Sequence, residues 1–214
     1  MEREIRITKD GSTTLYVPAL GEHYNSYFGA VQESEHIFIQ SALKQIDKPE
    51  INVLEFGLGT ALNALQTYKY AIDKDIKIIY HGIEKYPITE DEYLKLNYSN
   101  TDVLHEIHKA DWNTEIEIDK LFIINKIQSD FTEIELAIDK YDVVYFDAFA
   151  PDVQPHLWTL ELFKKIYTAM KNGGVLTTYT VKGSVRRTMK EAGFIVEKIA
   201  GPPGKREISR AWKN

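Results

Sequence analysis

The 214-residue chain contains no cysteine. This excludes a disulfide framework, thiolate zinc and iron–sulfur sites and a cysteine nucleophile, and it fits a reducing cytosol. Long apolar runs are missing as well. No stretch approaches 18 consecutive apolar residues, and Met1-Glu2-Arg3-Glu4 lacks the apolar segment of a signal peptide, so a cytoplasmic protein without a membrane partner is expected. No Gly-x-Ser-x-Gly anchors a hydrolase triad, and no Gly-Lys-Ser/Thr marks a phosphate loop. His105, His108 and Asp111 share helical spacing but read as surface polar residues, and no metal is expected. Carboxylate, histidine, hydroxyl or cofactor chemistry is left.

Hydrophobic residues make up 43% and charged residues 27%, the composition of a chain that folds. At this length one domain spanning 1–214 is expected, with 1–46 as an N-terminal hairpin, strap and helix and 51–214 as the main sheet. The formal charge of −6 argues against an ordinary nucleic-acid binder. That average hides an asymmetry: from Thr180 to Asn214 nine basic residues face three acids, a local +6 that leaves −12 on the first 179 residues. Lys182, Arg186, Arg187, Lys205 and Arg206 belong to this basic segment, which reads either as a solvated face or as a contact for a polyanion.

Alternating apolar strands and amphipathic helices predict a doubly wound α/β sheet, in which ligands bind at the carboxyl ends of the strands. A hairpin over Ile5–Val17 turns on Asp10-Gly11, and the aromatic stretch His23–Gly29 reads as a strap or as packed aromatics. A helix over Glu35–Gln45 follows, then a strand over Ile51–Phe56, a Gly57-Leu58-Gly59-Thr60 turn and a helix over Ala61–Ala71. The strand Ile76–Glu84 ends in an acid. Between Asn97 and Ser129 a hairpin and then a separate strand leading to Asp130 are expected, with a helix over Thr132–Ile138. Further strands are expected over Asp142–Phe146 and Val175–Tyr179, with a helix over Leu160–Met170 stopped by Asn172-Gly173-Gly174. A short helix over Val185–Glu191 and a closing hairpin of Phe194–Ile199 and Glu207–Trp212 complete the reading.

Three acids fall at strand ends: Glu55, Glu84 and Asp147. A paired glycine turn lets backbone approach a ligand, and a carboxylate one strand later can accept two ribose hydroxyl hydrogen bonds. Leu62 replaces the third glycine of the dinucleotide fingerprint, so the pattern points to a nucleoside cofactor without specifying a dinucleotide. Asp147 can hold an amine N–H and take up a proton during alkylation. Phe149 and Trp158 read equally as core residues or as stacking partners for an extruded base.

Glu55-Phe-Gly-Leu-Gly-Thr60 together with Glu84 resembles the S-adenosylmethionine site of the class I methyltransferases, whose sheets also end in an antiparallel hairpin. The segment Phe146-Asp-Ala-Phe-Ala-Pro-Asp-Val-Gln-Pro-His-Leu-Trp-Thr-Leu-Glu-Leu-Phe163 closely resembles the motif of the tRNA methyltransferases that complete 5-methylaminomethyluridine at the wobble position. Those enzymes occur as the methyltransferase half of MnmC-type proteins and as stand-alone MnmD-type proteins. Matches continue in Leu54–Leu65, in Tyr27-Phe28 with Glu33, and in Gly204-Lys-Arg-Glu207; Gly29 and Ala148 depart from the usual Ser and Gly, and 97–125 aligns poorly.

The resemblance implies a Rossmann-like fold with a mostly parallel seven-stranded sheet and a small N-terminal β-hairpin. It implies S-adenosyl-L-methionine as methyl donor, no metal and no flavin, and tRNA as partner. Cofactor contacts then fall on Tyr27, Glu55, Gly57, Gly59, Thr60, Asn63, Glu84, Asp130 and Phe131, with Asp147 catalytic and Phe149, Trp158 and the basic segment on RNA. Asp130 reads equally as the cap of the helix after it. With no flavin domain in the chain, the aminomethyl substrate is expected from a separate enzyme. Two alternatives stand beside this reading: a polyamine aminopropyltransferase, which uses a similar aspartate but a different glycine motif, and a catalytically silent nucleoside- or RNA-binding module.

Overall fold

The computed structural model describes residues 1–214. Two short strands around Asp10-Gly11 begin it, β1 (Glu4–Ile7) and β2 (Thr13–Val17), paired antiparallel. Gly11 adopts a positive φ, and Asp10 Oδ1 accepts hydrogen bonds from Ser12 N at 3.0 Å and Thr8 Oγ1 at 2.6 Å. β3 (Glu22–His23) adds to β2, so the expected hairpin is a three-stranded sheet.

The helix expected over Glu35–Gln45 is three different turns. α1 (Ala30–Ser34) runs into a π-helical turn (Glu35–Gln40), and a 3-10 turn follows (Leu43–Gln45). Ile37, Phe38 and Ile39 are all buried within the wide turn. Ser41 closes the wide turn by donating from both N (3.1 Å) and Oγ (2.7 Å) to the His36 carbonyl.

β4 (Glu50–Phe56), α2 (Leu62–Lys74) and β5 (Lys77–Glu84) form the first βαβ unit, followed by α3 (Glu90–Tyr93). The next segment corrects two expectations. α4 (Thr101–Lys109) is a helix that only Val103, Leu104 and Ile107 signal, and β6 (Glu115–Asp119) and β7 (Phe122–Gln128) are the hairpin, with β7 itself leading to Asp130. No helix forms over Thr132–Ile138 either. One turn closes on the Asp130 carbonyl, and Lys165 Nζ then takes the Thr132 and Ile134 carbonyls at 2.7 and 3.0 Å, which a second turn would need.

β8 (Tyr141–Phe146) is buried throughout, and α5 (Leu160–Ala169) follows it. The helix stops at Ala169, ahead of the glycines. β9 (Met170–Thr178) starts at once, with Gly173 at positive φ inside an irregularity of the β8–β9 ladder. α6 (Gly183–Glu191), β10 (Ile195–Ala200) and β11 (Glu207–Trp212) end the chain.

The large sheet has the order β10-β11-β9-β8-β4-β5-β7-β6. It holds eight strands rather than seven, because β6 adds antiparallel to β7 and becomes an edge. β4 pairs in parallel with β5 on one side and β8 on the other, so the topology switches direction between β4 and β8. Val143 and Tyr145 of β8 face a core shared with the α1 segment, α2 and α4. Val144 and Phe146 face a second core with α5 and α6. Such two-sided burial explains the continuous apolar run of this strand. No helix is long and apolar enough to cross a membrane.

Asp142 is fully buried near the start of β8. It accepts hydrogen bonds from Lys48 Nζ (2.6 Å), Lys171 Nζ (2.8 Å) and Asn52 N (2.9 Å). Burial alone would raise its pKa, but these three donors outweigh it and hold the carboxyl below its ordinary value. The stability it contributes is therefore present above the unfolded pKa and is lost as pH falls through the depressed folded one. Asp142→Asn is expected to lower the melting temperature at pH 7 and to flatten its decline below about pH 4; thermal melts across pH 3–7 would show an unchanged decline if the assignment is wrong.

Candidate active site

The switch point between β4 and β8 opens at the carboxyl ends of both strands. After Phe56 the chain turns through Gly57 and Gly59, both at positive φ, and Ala61 in the left-handed region starts α2. Gly57 N and Leu58 N both donate to the Ile83 carbonyl at 3.0 Å, and Asp147 N donates to the Phe56 carbonyl at 3.0 Å. The turn has no room for side chains: a Cβ at Gly57 would lie 2.6 Å from the Asp147 carbonyl oxygen, and one at Gly59 would lie 2.7 Å from the Tyr24 ring.

A cavity of about 440 Å³ lies over this turn. Of the residues expected from sequence to hold a cofactor, Tyr27, Gly57, Gly59, Thr60, Asn63, Glu84, Asp130 and Phe131 line it, and so do Asp147 and Phe149. Glu55 lies behind the wall. Its Oε1 accepts from Asn63 Nδ2 at 2.7 Å and its Oε2 from the Tyr80 hydroxyl at 2.6 Å. The second N–H of the same Asn63 amide reaches Asp147 Oδ2 at 2.9 Å, and Ser34 Oγ donates to Asn63 Oδ1 at 2.6 Å, which fixes the amide orientation. One side chain thus bridges a fully buried carboxylate and a half-buried one that faces the cavity.

Burial pushes Asp147 up to about 7 and Glu55 up to about 8, against the opposing hydrogen bonds from Asn63 and, for Glu55, from Tyr80. Glu84 is also raised by burial. Its Oε2 accepts from Gly59 N at 3.1 Å and its Oε1 from Tyr86 N at 2.8 Å, which leaves lone pairs on both oxygens for hydroxyl donors. Asp130 serves both of the uses open to it: it lines the cavity and caps its turn by accepting from Thr132 N and Oγ1 at 2.8 and 2.7 Å. A hydrogen bond from Lys85 at 2.6 Å is the main cause of its pKa of about 2.

The two aromatic candidates separate. Phe149 faces the cavity with its ring edge-on to Tyr24, 5.3 Å away. Trp158, 6% exposed, takes the core position, packs on Phe146 and donates from Nε1 to the Phe149 carbonyl at 2.9 Å. It supports Phe149 and does not reach the cavity. His108 is likewise engaged inside the fold: it stacks on Tyr93 and meets the Thr60 carbonyl at 3.2 Å, and no group of three metal-binding side chains forms around it.

The basic segment is less free than its count implies. Lys182 pairs with Asp152, Lys205 with Glu33 and Lys213 with Asp139, all acids from outside the segment, while Lys198 and Arg210 pair with Glu207 and Glu197. Arg186, Arg187, Lys190 and Arg206 have no carboxylate within 4.0 Å. Lys182, Lys205 and Arg206 line a second cleft of about 520 Å³. Arg186 and Arg187 lie on α6 outside it.

Sequence reasoning placed Tyr24 only within the aromatic strap and missed Ser34, Tyr80 and Tyr179. Tyr179 directly follows β9, donates to the Ala148 carbonyl at 3.0 Å and lines both cavities, so the strand-end rule that found Asp147 also applies to it. Ser34 and Tyr80 have no local signal, because their partners lie 29 and 25 residues away.

A family model described as "S-adenosyl-L-methionine-dependent methyltransferase" matches residues 89–214. The chain belongs to the S-adenosyl-L-methionine-dependent methyltransferases. This methyltransferase is 25% identical to the tRNA 5-methylaminomethyl-2-thiouridine biosynthesis bifunctional protein MnmC of Polaromonas naphthalenivorans, across 100% of the chain and 37% of that relative. It therefore spans little more than a third of that bifunctional protein. The crystal structure of MNMC2 from Aquifex aeolicus superposes with a TM-score of 0.85 at 26% identity, covering 99% of this chain and 70% of that one. Spermidine synthase from Thermotoga maritima shares the fold, with a TM-score of 0.64 at 15% identity over 100% of this chain and 72% of that one.

The residues present fit the donor that the family implies: a cradle with no room for a Cβ, a carboxylate with lone pairs to spare at the end of the next strand, and Phe131 on the wall. Gly57→Ala would force Asp147 to move and strain a positive φ, at about 1–3 kcal/mol. It is expected to weaken S-adenosylmethionine binding by about tenfold or more, read by titration calorimetry; wild-type affinity would show that the turn is not the donor's cradle.

Proposed function

We propose that this methyltransferase transfers the methyl group of S-adenosylmethionine to the primary amine of 5-aminomethyl(-2-thio)uridine at the tRNA wobble position, acting in the cytoplasm with 1–214 as one domain. The observation that carries the reading is Asp147. It is a cavity-facing carboxylate near neutral pKa at the switch point, in a chain similar along its whole length to proteins named for this modification.

S-adenosylmethionine, when bound, supplies an electrophilic methyl carbon on a sulfonium. Asp147, ionised, accepts an N–H from the acceptor ammonium and takes up its proton, freeing the nitrogen lone pair. That nitrogen forms the new N–C bond while the C–S electron pair stays on sulfur, and the product is a secondary ammonium. Asn63 holds the Asp147 carboxylate in place through the reaction. Gly57, Gly59 and Thr60 accommodate the donor's amino-acid end, Glu84 its ribose, and Asp130, Phe131 and Tyr27 its remaining contacts. Phe149 offers its face to the uracil, and Arg206, Lys182, Lys205, Arg186 and Arg187 meet phosphates. A primary amine acceptor also requires a preceding reaction, by a separate activity, that exposes it.

Labelled methyl transfer to tRNA isolated with 5-aminomethyluridine tests the reading, with putrescine and decarboxylated S-adenosylmethionine as the control pair. Label in the tRNA supports it. Aminopropyl transfer to putrescine would instead favour the polyamine reading that the shared spermidine synthase fold keeps in view.

Because Asp147 must be ionised to accept the proton, kcat/KM is expected to rise with pH through about 7 and then level. Asp147→Asn removes this limb together with about 100-fold or more of the turnover, while donor affinity persists. A variant with the wild-type pH profile would refute the role.

Arg206 has no carboxylate partner, so its charge is available to a phosphate. Arg206→Ala should lower the slope of log affinity for tRNA against log salt by about 0.7–1. An unchanged slope would remove Arg206 from the RNA path.

A further inference from the structure

Phe28 has no part in the chemistry above, yet this residue lines the active-site cavity and is 52% exposed. Tyr27 beside it is 48% exposed, its ring edge-on to Phe28 at 6.5 Å. Two adjacent aromatic rings left in water forgo the transfer free energy that burial would give, and such a patch marks a contact surface.

The Phe28 ring is held in place. It rests on the backbone of Gly204, where an added Cβ would come within 3.1 Å of its Cγ, and the Lys9 ammonium covers one face, 4.5 Å from the centroid, so a base would stack on the other. The residue after Gly204 leads to the cationic side. Lys205, together with Tyr179, forms a wall common to the active-site cavity and the second cleft, which Lys182 and Arg206 also line. A fixed, exposed aromatic face therefore adjoins both a cavity that takes the target group and a cationic groove.

We propose that Phe28 is the stacking platform for the nucleobase adjacent to the target nucleotide, with the RNA backbone passing through the cleft of Lys182 and Arg206. The inference rests on the RNA reading above and adds where a flanking nucleotide sits. A ring face accepts any base, while cations beside it track the phosphates; single-stranded nucleic acid is bound by this combination. Charge complementarity selects this occupant over a second copy of the chain. Lys9 at the ring and Arg206 in the cleft, neither paired with a carboxylate, suit a polyanion, whereas Lys182 and Lys205 would first have to leave Asp152 and Glu33.

The test uses the full-length protein and an anticodon stem-loop RNA carrying 2-aminopurine beside the target uridine. Wild-type protein is expected to quench the 2-aminopurine on binding. Phe28→Ala should lose most of that quenching and weaken Kd on the order of fivefold or more, Phe28→Trp should restore both, and S-adenosylmethionine affinity should stay level in all three as a check on folding. If wild-type and Phe28→Ala proteins bind the RNA with equal affinity and equal quenching, the platform is overturned and the RNA reading stands. If neither protein binds RNA, the RNA reading fails and takes the platform with it. If Phe28→Ala instead dissociates an oligomer seen by sedimentation, the ring belongs to a contact between copies and the platform is overturned.

Discussion

Two carboxylates, Glu55 on β4 and Asp147 directly after the neighbouring parallel strand β8, share the two N–H bonds of one amide, Asn63. Placing two acids in a protein interior costs several kcal/mol or more unless each finds donors. The surrounding architecture meets that requirement. α2 brings Asn63 over the strand ends, α1 brings Ser34 to orient the amide, and β5 brings the Tyr80 hydroxyl to Glu55. Without these three elements packed together, the acids would have no partners and Asp147 no defined direction. The same burial that makes the arrangement expensive raises Asp147 to about 7, where a carboxylate can take a proton and give it back near neutral pH.

The glycine turn belongs to the same constraint. Gly57 packs so closely on the Asp147 backbone that a side chain at position 57 would push the two strand ends apart. Close approach of two backbones brings the glycine turn and the Asp147 carboxylate to one cavity. The N-terminal strap then crosses that cavity: Tyr24 is packed inward on Gly59 and Phe149, while Tyr27 and Phe28 point out at the mouth. Both descriptions of the aromatic stretch therefore hold, each for different residues.

Charge balance changes meaning between sequence and structure. Three of the nine cations after Thr180 are matched by acids far away in the chain, so the local +6 overstates the field that a polyanion would meet. What remains free is a smaller set, with Arg206 beside the second cleft and Arg186 and Arg187 on α6. Conversely, the cavity lining carries Glu22, Glu33, Glu84, Asp130 and Asp147 against Lys85 and Lys205, an excess of acids that suits an amine. An acidic cavity beside unpaired cations fits a substrate that is cationic at its reacting group and anionic along its backbone.

Local pattern alone determined the doubly wound sheet, the glycine turn, the three strand-end acids and the closing hairpin, because period-2 apolar runs, glycine at positive φ and strand termini are written within a few residues of each other. It misjudged segments whose outcome depended on distant partners. Thr132–Ile138 stayed unwound because Lys165 took its carbonyls, and α4 was hidden because few apolar residues mark its inner face. Trp158 was assigned to the core by Phe146 and Tyr179. Only the tertiary structure decided that Glu55 is a buried hub rather than a cavity residue, that Asn63 and Tyr80 hold it, and that Ser34 orients Asn63. Hydrogen-bond partners separated by tens of residues leave no periodic trace in a sequence; they exist only once the sheet has brought the strand ends together.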